Sequence, residues 1–530
     1  MSTIESAAVA ARAGTREWAG LAVLALATLL LALDNTVLFL ALPHLGEDLR
    51  PGPTELLWIM DVYGFMIAGF LVTMGALGDR IGRRRLLIYG AAAFGAASVL
   101  AAYANGPVML IVARALLGVT GAALMPSALA LITTMFQDAR QRAAAIGVFT
   151  ACFMGGGALG PVIGGALLER YWWGSVFLLS VPVMIVLLIT APLLLPETRA
   201  AGAGRLDLPS VPLFLAAALP AVYALKELAK DPARPWAYGA AAVAVVFGIL
   251  FVRRQRALAD PLLDLRLLRS RTFSAALGIL LAGMIIQGGL YLFISQYLQM
   301  IEGLSPLRAG LWLAVPALAL VAGSLLSPII ARRLRPGTVI AAGLVPAAAG
   351  FLTATWAGDT VVLMIGVTVG FLGMAPIGAL GISLIAGSAP PERAGAASAM
   401  AETSGEFGIA FGVAAMGSLG TAVFSAVISA PADAPPSARE SIGEAATAAE
   451  QLPPASAAAL LDSARDAFLA GLGVVGTVSA VLLVGLAVLS AWLLRGLPPI
   501  GAEAGSPAEA EVTRPDEEVT RPGKEAPASP

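Results

Sequence analysis

Long apolar stretches alternate with short segments rich in Gly, Pro and charged residues along most of this 530-residue chain. A helix that crosses the hydrocarbon of a bilayer needs about 20 mostly apolar residues. Windows of that length predict an all-α polytopic membrane protein with fourteen spans. The spans fall near residues 19–41, 55–77, 86–104, 108–130, 143–167, 173–195, 208–229, 236–252, 273–298, 309–331, 337–357, 360–387, 394–428 and 467–494.

Positive charge predicts how these spans are oriented. The segments "GDRIGRRR" (78–85) and "RRQRALADPLLDLRLLRSR" (253–271) both lie on the same side of the membrane as the N-terminus if the spans are counted in order. Arg and Lys concentrate in cytoplasmic loops, so we expect both termini to be cytoplasmic. Residues 1–18 lack the layout of a cleaved signal peptide, and the first span should therefore be retained.

Two segments are expected to lie outside the bilayer. Residues 429–466 are polar, rich in Ala and interrupted by two Pro pairs, which predicts an extracytoplasmic loop between the last two spans. Residues 495–530 form a cytoplasmic tail that is rich in Pro, Glu and Ala and repeats "EVTRP". Such a composition is typical of a disordered segment.

Composition excludes several classes of protein. The chain is 58% hydrophobic and 13% charged, with a mean hydropathy of +0.85, whereas a soluble domain is about 25% charged. The single cysteine and the single histidine leave no internal disulfide, no His-based triad and no metal site to propose. With 33 basic and 34 acidic residues, the net charge indicates no nucleic-acid partner. Arg far outnumbers Lys, a bias that suggests a GC-rich bacterial genome and thus a bacterial cytoplasmic membrane.

Four carboxylates within the predicted spans are candidate site residues, namely Asp34, Asp61, Glu402 and Glu406. A carboxylate in a low-dielectric site can exchange protons near neutral pH and is the natural counter-charge of a lipophilic cation. Glu402 and Glu406 share one helix face and repel each other unless at least one is protonated. We expect this pair to alternate between protonated and cation-bound states, the alternative being that a base pairs with them. For Asp61 the alternative is a partly hydrated acid near a helix end.

Several side chains near these acids are candidates for lining a cavity that holds planar cations. They are Trp58, Tyr63, Gln287, Tyr291 and Phe407. For each aromatic residue, simple packing between helices is the competing interpretation. Gln287 is a polar amide within a span and needs a partner there.

The segment "GALGDRIGRRR" (75–85) joins the second and third spans. Its glycines permit a tight turn and a close approach of helices, Asp79 can pair with a neighbouring arginine, and the arginines can anchor the loop at the headgroups. A topology anchor and a moving gate both remain open. The candidate gate residues are Gly75, Gly78, Asp79, Arg80, Gly82, Arg83 and Arg84.

The segment "GGGALGPVIGG" (155–165) places small residues on one face of the fifth span. Close packing of helices, as in GxxxG interfaces, explains such a pattern. A pliable helix at the seam between two halves of the molecule explains it equally well, because proline disrupts the backbone hydrogen bonding beside the glycines. The residues concerned are Gly156, Gly160, Pro161, Gly164 and Gly165.

Residues 75–85 resemble the signature loop of the major facilitator superfamily, G-x-L-x-D-R-x-G-R-[KR]-x, although Leu77 stands one position later than in that pattern. Residues 33–43, 110–124 and 155–165 resemble the first-, fourth- and fifth-span motifs of its fourteen-helix drug:proton antiporters, of the QacA/LfrA/SmvA type. The resemblance implies an amino-terminal six-helix bundle (19–195), two additional helices and a linker (196–271), and a carboxy-terminal six-helix bundle (272–494). It further implies a salt-bridge latch in the 75–85 loop that stabilises the outward-open state.

The resemblance also bears on the charged residues. A charge at mid-membrane costs about 3 kcal/mol unless it is paired or hydrated, and spans one and four both line the amino-terminal half of the superfamily fold. Asp34 is therefore a candidate partner for Arg114, either in a structural ion pair or in one that tunes proton release. Related exporters carry an acidic pair in the span of Glu406. Some also carry an acid in the tenth span, but residues 309–331 here have none, which puts the handling of divalent cations in doubt.

These observations favour a proton-coupled antiporter that exports hydrophobic, mainly cationic drugs, dyes and antiseptics from the cytoplasm or the inner leaflet. The expected energy source is the proton gradient, and we expect no cofactor. The protein is expected to be a monomer, and it is not expected to be an enzyme. One alternative is a dedicated exporter of a single endogenous metabolite or antibiotic. Another, of a different class, is a lipid-handling or structural membrane protein without proton coupling.

Overall fold

The structure is a computed structural model in which residues 13–499 are described, apart from 198–206, 231–232, 259–260, 357–358 and 391–392. Most of the predicted N-terminal segment and of the predicted tail lies outside the described residues. The disorder expected of that tail therefore stays a prediction.

Helices account for nearly all of the described residues, and sixteen of them are α-helices. In chain order they are α1 (Thr15–Leu49), α2 (Pro53–Ile81), α3 (Arg83–Ala102), α4 (Pro107–Met135), α5 (Ala139–Leu168), α6 (Ser175–Leu178), α7 (Ser180–Leu194), α8 (Ser210–Lys230), α9 (Pro235–Ala257), α10 (Arg271–Gln296), α11 (Pro306–Ile330), α12 (Pro336–Leu352), α13 (Thr360–Gly387), α14 (Ala394–Val427), α15 (Ile442–Ala449) and α16 (Pro454–Leu493).

The predicted number of spans is confirmed, because fourteen helices of the described chain are long and apolar enough to cross a membrane. Helices α6 and α7 run together as one of these spans, and α15 is too short to be one. The last helix differs from expectation, since it begins at Pro454 and not near residue 467. Proline suits the first position of a helix, and the Ala-rich residues after it are strong helix formers that a hydropathy window does not detect.

The spans form two bundles with a pair of helices beside them. Helices α1–α7 pack with one another, and α10–α14 pack with α16. The two bundles meet where α2 contacts α14, α5 contacts α11 and α1 contacts α10. Helices α8 and α9 pack together, and α8 contacts both α2 and α14. The first of the two additional helices therefore lies over the seam between the bundles.

The glycines of α5 serve mainly the contact with α1. A Cβ atom at Gly156 would collide with the backbone carbonyl of Leu29, and one at Gly160 would collide with the hydroxyl of Thr36. Gly165, by contrast, packs against Pro306 of α11 in the other bundle. The small-residue face of α5 is thus a close-packing surface within the first bundle, and its end also forms part of the seam.

We expect Gly156→Ala to destabilise the protein, because the obstructing atom is a helix carbonyl that cannot turn aside. Overpacking of this kind costs about 1–3 kcal/mol. The control is Gly157→Ala, since a Cβ there meets nothing within 4 Å. Thermal unfolding of the two purified variants in detergent measures the difference, and equal melting temperatures would contradict the packing argument.

Candidate functional site

A buried ion pair joins the first and fourth helices at the centre of the first bundle. Arg114 Nη1 lies 3.1 Å from Asp34 Oδ2, and both side chains are almost fully buried. Arg114 Nε also donates to the backbone carbonyl of Ile59 on α2, at 3.2 Å. The guanidinium carbon lies 4.3 Å from the centroid of the Tyr63 ring. Arg114 therefore ties α1, α2 and α4 together, and the pairing with Asp34 suggested by the sequence is present.

Two narrow cavities lie beside this ion pair, and Asn35 and Glu406 line both of them. Arg114 also lines the first and Tyr63 the second. Each has room for about one water molecule. Glu406 of the second bundle thus faces the charged centre of the first bundle across a small internal space.

Helix α14 can bring Glu406 to this position because α2 has a glycine opposite it. A Cβ at Gly64 would lie 2.9 Å from the Ala410 Cβ and 3.4 Å from the backbone oxygen of Glu406. Glu402 and Glu406 are both half-buried. Within the described part of the chain, neither carboxylate has a hydrogen bond or an ion pair. The geometry favours two uncompensated acids over a pair neutralised by a base, while their exchange of protons and cations stays a prediction.

Asp61 lies in different surroundings from the other three acids. It has no exposed surface, which rules out a partly hydrated acid near a helix end, and its Oδ2 lies 2.6 Å from Nζ of Lys226 on α8. Sequence reasoning missed Lys226 altogether. Its signal was the pair of charges Lys226 and Glu227 inside an otherwise apolar span.

Of the predicted cavity residues, Tyr63, Tyr291 and Gln287 lie on α2 and α10. Tyr63 lines the second cavity. Tyr291 packs edge-on against Phe39 at the seam, with ring centroids 4.8 Å apart, and its buried hydroxyl has no hydrogen-bond partner among the described residues. Gln287 is half-buried, and its amide makes no hydrogen bond within the described chain.

The other two candidates lie on the α8 side of the seam. Trp58 places its ring 4.2 Å from Lys226 Nζ. Phe407 stacks on Phe411, with centroids 5.8 Å apart, and contacts Phe65 edge-on. Neither side chain lines either of the two cavities. For these two residues the structure favours packing between helices.

Comparison with known proteins identifies the family. The Major Facilitator Superfamily profile matches residues 24–413. The chain belongs to the major facilitator superfamily. It is 44% identical to the multidrug efflux pump LfrA of Mycolicibacterium smegmatis, over 92% of this chain and 98% of that protein. It is 34% identical to the methyl viologen resistance protein SmvA of Salmonella typhimurium, over 86% of this chain and 93% of that protein.

A solved structure confirms the superfamily fold. The chain superposes with a TM-score of 0.61 on a bacterial homologue of the human lysosomal transporter Spinster in an inward-facing, unoccupied conformation. The match covers 91% of this chain and 98% of that one, at 18% sequence identity. The family profile, the two relatives and the fourteen membrane-length helices together identify the protein as a multi-pass membrane transporter of the major facilitator superfamily.

The superfamily signature loop makes its turn at a single residue. Gly82 separates α2 from α3 with a φ of 109°, a conformation that side chains other than glycine rarely adopt. Gly78 lies against the Arg83 side chain, whereas Gly75 faces open space. Asp79 pairs with Arg83 at 2.7 Å, one turn later in the chain. Glycine is therefore required at position 82, whereas a Cβ at position 78 would displace the Arg83 side chain and one at position 75 would meet open space.

The arginines that follow the turn bind the end of α7. Arg84 Nε lies 3.4 Å from Glu197 Oε2, and its Nη1 donates to the backbone carbonyl of Leu195 at 3.0 Å. Arg85 Nε lies 3.7 Å from the same Glu197 oxygen, and Arg80 is exposed. The loop is thus fastened to its own bundle by Glu197, a partner that sequence reasoning did not consider.

We expect Asp79→Asn to slow transport while leaving substrate binding intact. The substitution removes the charge that holds Arg83 but alters no residue that lines the cavities. Initial transport rates in proteoliposomes and dye binding to the detergent-solubilised protein separate the two effects, with Asp79→Glu as the control. Unchanged turnover in Asp79→Asn would reduce the loop to a topology anchor.

Proposed function

We propose that this protein exports lipophilic, mainly cationic small molecules across a bacterial cytoplasmic membrane in exchange for protons. The observation that carries the proposal is the arrangement of charges inside the spans. Asp34 and Asp61 each have a basic partner, whereas Glu402 and Glu406 have none among the described residues. Glu406 lines both cavities, and an uncompensated acid in that position attracts a cation or a proton. The two relatives, an efflux pump and a resistance protein, support an exporter of drugs.

Exchange follows if the same carboxylate serves both ligands. Glu406 faces the cavities and can be neutralised either by a proton or by a cationic substrate. Because the two states exclude each other, entry of a proton from outside releases the cation, and binding of a cation inside releases the proton. Arg114 lines the first cavity together with Glu406 and is paired with Asp34. A change in the charge of Glu406 therefore acts on this ion pair through the low-dielectric interior.

The proposal also includes the orientation of the protein, its energy source and its oligomeric state. Both termini lie in the cytoplasm, as the arginine-rich segments 78–85 and 253–271 favour. The proton gradient supplies the energy, so the transporter needs no cofactor and performs no catalysis. A monomer contains both bundles and hence both walls of the cavities, and it suffices for transport.

Ethidium transport by purified protein in proteoliposomes tests the proposal. We expect ethidium movement that follows an imposed pH gradient without ATP and collapses when a protonophore is added. Liposomes without protein provide the control. No gradient-dependent movement of ethidium by protein that is shown to be folded would contradict the proposal and favour a dedicated exporter of one endogenous product.

A further inference from the structure

The pair formed by Asp61 and Lys226 is a buried link between α2 and the first additional helix. The two charged atoms lie 2.6 Å apart, and the side chains are 0% and 1% exposed. The ammonium also lies over the Trp58 ring, a favourable contact for a cation. No hydrogen bond from another described residue reaches the Asp61 oxygens or the Lys226 nitrogen. Each charge therefore depends on the other.

A second polar contact joins the same two helices one residue further along. Glu227 accepts a hydrogen bond from the hydroxyl of Thr54 on α2, at 3.3 Å. It also pairs with Arg234, which immediately precedes α9, at 2.5 Å. Consecutive residues of α8 thus bind the first bundle and the neighbouring helix of the pair. This end of α8 is fixed to α2 by charge and hydrogen bonding.

The contact of α8 with the second bundle is of another kind. Val222 packs in a buried apolar cluster with Ala410 and Ala414 of α14. The Phe214 ring lies 6.1 Å from that of Phe407 on α14. Apolar contacts of this kind are not directional, and packed helices can slide past one another by small shear movements. Within the described residues, α8 thus contacts α2 through an ion pair and a hydrogen bond as well as apolar side chains, whereas its contacts with α14 are apolar.

We propose that Lys226 is a positioning residue that fastens the α8–α9 pair to the first bundle and so keeps α8 over the seam between α2 and α14. The second bundle then slides beneath α8 on its apolar contacts when the two bundles move. Asp61 serves this attachment and neither carries the coupled proton nor binds the substrate. The proposal rests on the proposed function only for the movement of the bundles.

The positions of Asp61 and Phe407 relative to the cavities support this role of the pair formed by Asp61 and Lys226. Asp61 does not line either cavity, although its neighbours Met60 and Gly64 line the first. Phe407, which contacts α8, adjoins Glu406, which lines both cavities. Helix α8 therefore covers the segment of α14 that carries the uncompensated acid, and its displacement would open that segment toward lipid.

A double-mutant cycle tests the attachment. Removing one partner of a buried ion pair leaves an uncompensated charge, whereas replacing both partners is often nearly neutral. The variants are Asp61→Asn, Lys226→Met and the double variant, with Lys226→Arg as the conservative control. Melting temperature in detergent and ethidium export in proteoliposomes over a series of external pH values are measured for each.

We expect each single variant to melt at a lower temperature than the wild type and to lose at least about tenfold in export rate. We expect the double variant to regain the melting temperature and to export within about twofold of the wild type, with an unchanged dependence on the pH gradient. Lys226→Arg keeps both properties.

Two results would overturn the proposal. Additive losses of stability in the double variant would show that the two residues are not coupled. A double variant that is as stable as the wild type but exports without responding to the pH gradient would return Asp61 to the coupling machinery. Should the wild type itself show no proton-driven export, the proposed function fails, while the melting temperatures still decide whether Lys226 fastens α8.

Discussion

Asp34→Asn is expected to abolish export driven by a pH gradient. The amide can neither carry the proton nor neutralise Arg114, whose side chain is 1% exposed and has Asp34 as its ion-pair partner. Breaking a buried pair by removing one partner is destabilising by about 3–5 kcal/mol. Ethidium movement into proteoliposomes under an imposed pH gradient measures the loss, and Asp34→Glu, which keeps the charge, is the control.

A double variant separates coupling from support of the fold. In Asp34→Asn combined with Arg114→Gln the uncompensated charge is removed, so stability should return. We expect export driven by the pH gradient to remain absent, because the carboxylate that is paired with the cavity-lining Arg114 is then missing. Recovery of gradient-driven export in the double variant would show that Asp34 is a counter-ion of Arg114 and no more.

Hydropathy predicted the spans because each helix must satisfy its backbone hydrogen bonds inside the bilayer. The twelfth predicted span, 360–387, coincides with α13. The prediction was wrong at the start of the last helix, because the first residues of α16 are rich in alanine, which favours a helix without raising hydropathy to that of a span. A hydropathy window measures how apolar a segment is and does not detect its helix propensity.

The ion pairs show that a single sequence does not reveal which helices pack against each other. Arg114 is conspicuous in an apolar span, and the superfamily fold indicated which helix adjoins it, so Asp34 could be suggested as its partner. Lys226 is equally conspicuous, yet nothing in the pattern states that α8 lies against α2. The contact of Trp58 could not be predicted either. Trp58 shares a helix face with Asp61, but its ring contacts a cation only because α8 places the Lys226 ammonium there.

Trp58 and Phe407 line neither cavity for a related reason. A phenylalanine beside an intramembrane acid can face the cavity or a neighbouring helix, because successive residues of a helix point about 100° apart. Phe407 follows Glu406 directly and so points away from the cavities that Glu406 lines, toward Phe65 and Phe411. Residue type thus indicated the chemistry of the seam, while the direction of each side chain depended on which helices meet there.

Glu406→Gln is expected to impair the export of cations far more than that of neutral compounds. The substitution keeps the size and shape of the side chain and removes the charge. Two opposite charges 4 Å apart attract by about 4 kcal/mol at an effective dielectric constant of about 20, before desolvation, and 1.4 kcal/mol is tenfold in affinity. We therefore expect at least about a tenfold loss for ethidium.

The comparison that decides this prediction uses two substrates and two variants. Export of ethidium and of a neutral dye such as Nile red is measured for Glu406→Gln and for Glu402→Gln. Glu402 lies one turn away and lines neither cavity, so its variant should lose less ethidium export. An equal loss of both dyes in Glu406→Gln would assign this carboxylate to coupling or to folding, because the loss of a substrate's counter-charge cannot affect a substrate that carries no charge.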